Sequence, residues 1–390
     1  MPVVNRFADL APAIADWRRD IHAHPEILFD TVRTGALVAE KLRGFGLDEV
    51  VTGIGRTGVV GVIHGRARGS GRVIGLRADM DALPIVEATG LPYASRVPGA
   101  MHACGHDGHT AMLLGAAQYL AETRNFDGTA VVIFQPAEEG GGGGREMVED
   151  GMMERFGIQQ VYGMHNMPGL PVGDFVMRPG PLMAASDDFT IEITGRGGHG
   201  AMPHETIDPV PVASHIVLAL QTIAARNVDP LASAVLSVTS LRTDSDAFNV
   251  IPGRVELRGT ARSLDPAVQD LIEARMEQVV THTARAHGAE ARLRYRRGYP
   301  VTANSPAETD FAARVARDLV GDARVDAEAP PVMGAEDFSF MLNARPGAFV
   351  FVGNGETAGL HHPQYDFNDE LIPIGCSYWA RLVETAMPAA

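Results

Sequence analysis

Apolar residues recur every three or four positions near the start of the chain, which is the period of an α-helix. This spacing predicts an amphipathic helix from Phe7 to about Ile21, ending before Pro25, because the residue that precedes a proline disfavours helical backbone. A second helix is predicted from Thr34 to Arg43. The chain is therefore expected to begin with two helices separated by the break at His24-Pro25.

Strand-like and helical patterns then alternate up to about residue 186. The runs that predict strands are VVGVIHG, RVIGLRADMDALP, TAVVIFQ and QQVYGMHN, and those that predict helices are DGHTAMLLGAAQYLAETR, with Asp107 available as N-cap, and REMVEDGMMERFG. TAVVIFQ is almost continuously apolar, as expected of a strand that is covered on both faces. Alternation of this kind is typical of an α/β fold with a mostly parallel sheet.

Between about Asp187 and Tyr299 the pattern changes to polar and apolar alternation. Three alternating segments, DDFTIEITGRGG, ASAVLSVTSLRT and RVELRGTAR, accompany two helical ones, PVPVASHIVLALQTIAARN and LDPAVQDLIEARMEQVVTHTARAHG. From about Asn304 the earlier pattern returns. We predict an α/β main domain formed by residues 1–186 and 301–390, with an inserted α+β domain over residues 187–300.

Composition and charge exclude several classes of protein. The chain has 390 residues, which favours two domains, and its 33 Lys and Arg against 48 Asp and Glu give a net charge of −15. Nucleic acid and anionic membranes are therefore not expected as partners, because both attract clustered cations. Only Cys104 and Cys376 are present, which fits a reducing, cytoplasmic compartment.

One short segment concentrates groups that bind metals. Residues 102–109, HACGHDGH, contain one thiol, three imidazoles and one carboxylate immediately before a predicted helix. Thiolate and imidazole suit zinc, nickel, cobalt or iron, and less typically manganese. A buried cysteine with surface histidines is the alternative, and the density of ligands makes it the weaker one.

Four further candidates follow predicted strands, at the edge where open α/β sheets bind ligands. They are the acidic pair Asp79 and Asp81, the acidic pair Glu138 and Glu139, His165, and the pair His361 and His362. Each could be purely structural if considered alone. In extended backbone, adjacent glutamates point apart, so one of the second pair could bind a metal while the other addresses a water molecule.

Other familiar motifs do not explain the chain. GIGRTG at residues 53–58 matches a dinucleotide fingerprint, but a strand-like run follows it where a helix is required. The glycine run at residues 140–144 lacks the lysine of a phosphate loop, and the chain contains no His-Glu-x-x-His or Gly-x-Ser-x-Gly motif. Nucleotide binding and serine hydrolase chemistry are not supported.

Taken together, these residues resemble the M20 family of metal-dependent amidohydrolases and peptidases, and its aminoacylase branch in particular. Nine motifs occur in the family's order: HAHPE at His22, LRADMDALP at Leu76, MHACGHDGH at Met101, QPAEEG at Gln135, YGMHNMP at Tyr162, GRGGHGAMPH at Gly195, FNVIPG at Phe248, GAEDFS at Gly334 and LHHPQYDFND at Leu360. The resemblance covers almost the whole chain.

The resemblance implies a site with two divalent metal ions, which could be Mn, Zn, Ni or Co. Their ligands would be Cys104, His106, Glu139, His165 and His361, with Cys104 bridging the ions. Glu138 would be the general base and Asp81 would orient a ligand. Asp79 occupies the position where the peptidase branches have a metal-binding histidine, which makes a peptidase-type site less expected.

The resemblance also assigns a role to residues 187–300, as a lid that forms the interface of a homodimer or homotetramer. Within this region, His199 would polarise the scissile carbonyl. Asn249 and Arg262 are weaker candidates for gripping the substrate carboxylate, and His22, His24 and His204 match family motifs without a defined role.

We therefore expect hydrolysis of the amide bond of N-acyl-L-amino acids, of the hippurate or N-acetyl type, by a metal-activated water with Glu138 as base. A dipeptidase or carboxypeptidase that uses the same site is the alternative. A catalytically silent binding protein on this fold is a further one.

Overall fold

The structure, a computed structural model, describes residues 4–389, and this part of the chain divides into two compact units. The first unit contains the chain up to Leu182, then Ala303–Pro330 and the chain from Asp337 onward. The second contains Met183–Thr302 together with the short segment Pro331–Glu336. Elements are numbered along the chain in both units.

An eight-stranded sheet forms the centre of the first unit. Its strands are β1 (Glu49–Ile54), β2 (Gly58–His64), β3 (Val73–Asp79), β4 (Thr129–Gln135), β5 (Gln160–Pro168), β6 (Phe175–Val176), β15 (Val325–Asp326) and β16 (Gly347–Gly355). Their order is β1-β2-β4-β3-β5-β16-β6-β15. The central strands β4, β3, β5 and β16 are mutually parallel, and their side chains are largely buried. The predicted fold class, α/β with a mostly parallel sheet, is confirmed.

Helices cover this sheet. They are α1 (Asn5–Ala23), α2 (Val32–Gly44), α3 (His106–Thr123), α4 (Gly143–Glu149), α5 (Met152–Arg155), α8 (Pro306–Val320), α9 (Ser339–Ala344) and α10 (Ile372–Ala386). Helix α3 packs against β3 on one side and against α1 and α10 on the other. Because it is covered almost all round, α3 is apolar on most of its surface and buries nearly all of its residues.

Two local predictions were wrong. Asp107 is not the N-cap of α3, because the helix begins at His106 and its cap is Gly105, in left-handed backbone with φ 90°. The run REMVEDGMMERFG is not one helix, because Gly151 has φ 78° and separates α4 from α5. At both positions the glycine adopts a conformation that L side chains rarely take.

The second unit contains a four-stranded antiparallel sheet in the order β10-β12-β8-β13. Its elements are β8 (Ala185–Thr194), β9 (Gly198–His199), α6 (Pro209–Arg226), β10 (Ala234–Thr243), β11 (Val250–Ile251), β12 (Arg254–Ser263), α7 (Pro266–Ala286) and β13 (Glu290–Tyr299). Helices α6 and α7 pack on this sheet and form a separate core. The sequence analysis did not predict β13, which is rich in arginine and whose apolar face consists of only Ala291, Leu293 and Tyr295, packed against this core.

Two short strands, β7 (Gly180–Met183) and β14 (Thr302–Asn304), lie where the chain passes from one unit to the other. Among residues 4–389, no helix combines the length and apolar character needed to cross a membrane.

Candidate metal centre

The candidate residues of the first unit collect at the carboxyl edge of its four parallel strands. β3 ends at Asp79, two residues before Asp81, and β4 ends at Gln135, shortly before Glu138. The crossover from β3 leads to β4 on one side of it, and the next crossover, from β4, leads in the opposite direction to β5 on the other side of β3. Ligands of open α/β sheets bind at such a switch point, where the loops diverge and leave a crevice.

Glu138 and Glu139 lie in a turn, so the prediction that they extend a strand was wrong. Ala137 has φ 55°, which turns the chain out of the sheet direction directly before them. The backbone N–H groups of Glu138 and Glu139 donate to the two oxygens of Asp81, at 2.9 and 3.1 Å. One buried carboxylate therefore holds both glutamates in place through their amides.

Cys104 and His106 flank Gly105 at the start of α3 and are both buried. The sulfur of Cys104 lies 3.3 Å from Nε2 of His165, which extends from β5. Nδ1 of His165 lies 2.6 Å from the carbonyl oxygen of Asn166 and donates to it, which leaves the Nε2 lone pair directed at the thiol. Three ligand-type atoms from two distant segments, residues 104–106 and β5, thus lie close together.

His361 follows β16 in left-handed backbone, with φ 63°. Its amide donates to the carbonyl oxygen of Ala103 at 2.8 Å, and its Nε2 lies 3.3 Å from Oε1 of Glu139. The neighbouring His362 instead accepts the amide of Gln364 at Nδ1 and is exposed. Of the two adjacent histidines, His361 is the one whose imidazole reaches the cluster.

Asp79 is engaged by other side chains. It receives a hydrogen bond from Arg77 at 2.7 Å and one from Nδ1 of His109 at 2.6 Å, and Nε2 of His109 accepts the amide of Asn166. Both ring nitrogens of His109 are therefore occupied.

Arg77 also donates to Asp337, whose other oxygen accepts the amide of Gly144 and anchors the glycine-rich loop. Sequence reasoning missed Arg77 and Asp337, because their partners are distant along the chain.

Negative charge accumulates at this edge and shifts the pKa values of its members. Burial, with Glu139 and Glu138 adding to it, raises the pKa of the Cys104 thiol well above its usual value. Burial alone would lower the pKa of His106, but the nearby carboxylates of Asp79 and Asp81 outweigh it and raise that pKa to about 10. Both shifts indicate a site in which a positive charge is favourable.

The residues present fit a divalent metal. His106 is fully buried, and neither of its ring nitrogens makes a hydrogen bond of ordinary geometry among the described residues. The carboxylate oxygens nearest to them are 3.5 Å (Asp81) and 3.7 Å (Asp79) away. Two groups of ligand atoms lie within 4.8 Å of one another, Cys104 with His106 and His165, and Cys104 with Glu139 and His361. Thiolate, imidazole and carboxylate are the donors of a transition-metal hydrolase, and Cys104 belongs to both groups.

The remaining candidates belong to the second unit. His199 and Asn249 line one hollow of about 520 Å³, and the amide of Gly200 donates to the carbonyl oxygen of Asn249 at 2.7 Å. Nδ1 of His199 accepts the amide of Ala201 at 3.0 Å, so its Nε2 carries the proton when the ring is neutral. Arg262 lies on β12, where its guanidinium donates to the carbonyl oxygen of Ala261.

The three histidines without a predicted role differ in their surroundings. His22 is fully buried and contacts Asp107 at 2.8 Å, whereas His24 directly follows α1 and its Nδ1 donates to the backbone oxygen of Asp20 at the end of that helix. His204 is exposed. Only His22 belongs to the buried interior.

This fold and site define a class of enzyme, the divalent-metal hydrolases, and comparison with known proteins identifies the family. Residues 75–385 match peptidase family M20/M25/M40. The hippurate hydrolase of Campylobacter jejuni is 43% identical over 382 residues, with 98% of each chain covered, and an N-acetylcysteine deacetylase of Bacillus subtilis is 38% identical over 370 residues, with 95% of each covered.

Among solved structures, a dinuclear metal-binding peptidase of the M20 family from Bacillus subtilis matches with a TM-score of 0.84. It is 35% identical, and the match covers 98% of this chain and 100% of that one. The chain belongs to the M20 peptidase family. It is an amidohydrolase that binds divalent metal, as the resemblance of its motifs predicted.

Proposed function

We propose that this amidohydrolase cleaves the amide bond of N-acyl-L-amino acids of the hippurate or N-acetyl type. The observation that carries the proposal is a carboxylate, Glu138, which is fixed by Asp81 beside the cluster of metal-ligand side chains. The relatives named hippurate hydrolase and N-acetylcysteine deacetylase support the substrate class.

In this proposal Cys104, His106, Glu139, His165 and His361 hold two divalent ions, with Mn, Zn, Ni and Co as candidates. When bound, such ions supply Lewis-acid chemistry, which makes water a stronger acid and the amide carbonyl a better electrophile. Asp81 keeps the Glu138–Glu139 turn rigid and faces Nδ1 of His106.

Glu138 is the proposed general base. A carboxylate oxygen of its side chain takes a proton from the attacking water and passes it to the leaving nitrogen, so that the amine departs neutral. Glu139 cannot replace it, because its carboxylate already faces His361 and His106. Adjacent glutamates therefore divide into one ligand and one base.

His199 is proposed to stabilise the oxyanion. Its Nδ1 accepts the Ala201 amide, so its Nε2–H is the donor available to a carbonyl oxygen. A donor of this kind contributes about 3 kcal/mol to transition-state stabilisation. Asn249, in the same hollow, and Arg262 are proposed to grip the substrate carboxylate.

We further propose that residues 187–300 act as a lid and as the interface of a homodimer or homotetramer. Support comes from large apolar side chains that are exposed in this region, among them Leu218, Leu231, Leu241, Phe248 and Val250. Exposed apolar side chains of this size are typical of surfaces that are covered in an assembly. Light scattering of the purified protein measures the mass directly.

The test is amine release from N-acetyl, N-benzoyl and N-succinyl amino acids and from simple dipeptides. Chelated protein is assayed alone and after addition of manganese, zinc, cobalt or nickel. Metal-restored cleavage of one acyl class supports the proposal. Cleavage of dipeptides alone would favour the peptidase alternative. The Bacillus subtilis structure is described as a peptidase, which is consistent with that alternative. No cleavage at all despite bound metal would favour a binding protein.

A further inference from the structure

Helix α1 contributes a fully buried arginine that the proposed mechanism does not use. Nε of Arg18 donates to Asp369 at 2.9 Å, and its Nη1 lies 3.4 Å from Asp107 and 3.5 Å from Asp366. We refer to Arg18, Asp107, Asp366 and Asp369 as the Arg18 cluster. A guanidinium suits this task, because its donors lie in one rigid plane and can address several carboxylates at once.

Two carboxylates of the Arg18 cluster, Asp107 and Asp366, lie in the segments that carry the buried His106 and the half-exposed His361. Asp107 directly follows His106 at the start of α3, and Asp366 lies five residues after His361. One buried cation therefore connects the chain next to His106 with the chain next to His361. Neither ligand is itself in contact with Arg18.

The segment that carries His361 has little regular structure. We refer to residues 359–367 as the His361 strap. Ala88 donates to the carbonyl oxygen of Pro363 at 2.8 Å, and the hydroxyl of Tyr93 donates to Asp366 at 2.9 Å. The Tyr93 ring also lies under the Arg18 guanidinium, at 4.5 Å. Within the strap, Tyr365 and Phe367 are buried in the core, and beside these two anchors Arg18 and Tyr93 hold the strap at Asp366.

The backbone of His361 shows why these anchors matter. A histidine at φ 63° is in a sparsely populated conformation, which persists only where the surrounding structure holds it. The side chain is half-exposed, so core packing does not hold it in place. The orientation of His361 therefore depends on the points at which the strap is fixed.

We propose that Arg18 is a positioning residue for His361, acting through Asp366 and Asp107 to set the separation of His361 from His106. The inference rests on the proposed roles of His106 and His361 as metal ligands. Arg18 is not among the residues proposed to hold metal or substrate. Its effect is expected in metal affinity.

The first test compares two adjacent arginines. Arg18→Met keeps the length and apolar volume of the side chain but removes its donors. Arg19→Met is the matched control, because Arg19 also binds Asp369, at 2.7 Å, from a half-exposed position on the same helix. Metal-depleted proteins are titrated with Mn²⁺ in a calorimeter. We expect R18M to lose 10- to 100-fold in the affinity of one equivalent, as is usual when a group that orients a ligand is removed, and R19M to change less than 2-fold.

A double variant tests whether Arg18 acts through His361. If it does, R18M combined with His361→Ala binds Mn²⁺ no more weakly than H361A alone. Equal losses in the two backgrounds would overturn the proposal. So would a folded R18M protein whose Mn²⁺ affinity equals that of the wild type.

Stability is followed in parallel, because R18M removes a cation from the buried carboxylate of Asp107. Tyr93→Phe provides a milder change, since it removes only the hydroxyl that donates to Asp366. We expect Y93F to weaken Mn²⁺ binding several-fold. If R18M does not fold, unchanged affinity in Y93F overturns the proposal. Titration does not depend on turnover, so a wild-type protein that binds two ions but cleaves no N-acyl amino acid would contradict the proposed function alone.

Discussion

Asp81 illustrates how one residue can organise a site without being a ligand. Its two oxygens accept the amides of Glu138 and Glu139, and one of them lies 3.5 Å from Nδ1 of His106. Burial is the largest influence on the pKa of Asp81 and raises it. The ionised form of Asp81 is therefore favoured when a positive charge lies beside it. Because Asp81 also holds the Glu138–Glu139 turn, the conformation of that turn should be coupled to occupancy of the metal site.

At this scale we predict that Glu138→Gln retains metal and loses turnover. The amide cannot accept a proton, but its backbone N–H still donates to Asp81, so the turn and its neighbours remain. We expect kcat to fall by about 10²- to 10⁴-fold, the usual contribution of a general base. Metal content by mass spectrometry and hydrolysis rates are measured on the same sample. Glu139→Gln is the contrasting variant, and we expect it to lose both metal and turnover. Substantial turnover in E138Q at full metal content would contradict the role of Glu138 as general base.

Among the secondary-structure elements, helix α3 has the most tightly constrained N-terminus. Gly105 caps it at φ 90°, and a Cβ at this position would overlap Oδ1 of Asn166 and the hydroxyl oxygen of Tyr365. Asn166 follows His165 in β5, and Tyr365 lies in the His361 strap. The absence of a side chain at one residue thus allows three ligand-bearing segments to approach each other.

We predict that Gly105→Ala weakens both folding and metal binding. The strained φ costs on the order of 1–3 kcal/mol by itself, and the overlap displaces Asn166 and Tyr365 in addition. Gly99→Ala is the matched control, because Gly99 has φ 80° with open space around its Cβ position. Chemical unfolding and Mn²⁺ titration of the two variants separate strain from crowding. Equal metal affinities in the two variants would show that the overlap with Asn166 and Tyr365 does not affect metal binding.

The contact between α1 and α3 should make stability depend on pH. Burial works to lower the pKa of His22, but the carboxylate of Asp107 outweighs it and raises the pKa to about 9. Because the pKa is raised on folding from about 6.5, the stabilisation is complete below pH 6.5 and is lost as the pH rises to about 9.

His22→Gln tests this expectation. The difference in unfolding free energy between wild type and H22Q should shrink by up to about 3 kcal/mol between pH 6.5 and 9. Denaturant unfolding at several pH values measures it, with His24→Gln as the control for loss of a partly exposed histidine at the end of the same helix. A difference that is constant over this range would show that the proton is not held by Asp107.

At the scale of the whole molecule, metal and folding should be coupled. The proposed ligands from β5, from the turn after β4, from the start of α3 and from the strap come together only in the folded chain, so ions should bind the native state preferentially. An ion at 100 times its dissociation constant adds about 2.7 kcal/mol to stability.

We therefore predict that chelation lowers the thermal unfolding midpoint by several degrees relative to protein with excess Mn²⁺. Cys104→Ser removes the thiol common to both ligand groups with little change in volume. Its midpoint should respond much less to the metal. A Cys104→Ser protein that responds as strongly as the wild type would place the stabilising ion elsewhere.

Local information in the chain was sufficient for the α/β class, the family and the enzymatic class. The strand-like runs before residues 79–81, 138–139 and 165 are short and apolar. A strand between two layers of helices is buried on both faces and therefore needs apolar side chains. The prediction that ligand-type residues collect at the carboxyl edge follows from the same pattern, because parallel strands end together. Three of the motifs that resemble the family, LRADMDALP, QPAEEG and YGMHNMP, lie at these strand ends.

Other features depended on partners distant in the chain. Three backbone conformations with positive φ, at Ala137, His361 and Gly105, could not be predicted from neighbouring residues. Each is held by groups that only folding brings near. Arg18 and Arg77 would be expected at the surface from their type, yet both are buried against carboxylates up to 351 and 260 residues away. The sequence by itself determined the fold class and the chemical donors, because these depend on residue type and spacing. Tertiary structure decided which imidazole reaches the cluster and what holds it there, because these depend on long-range contacts.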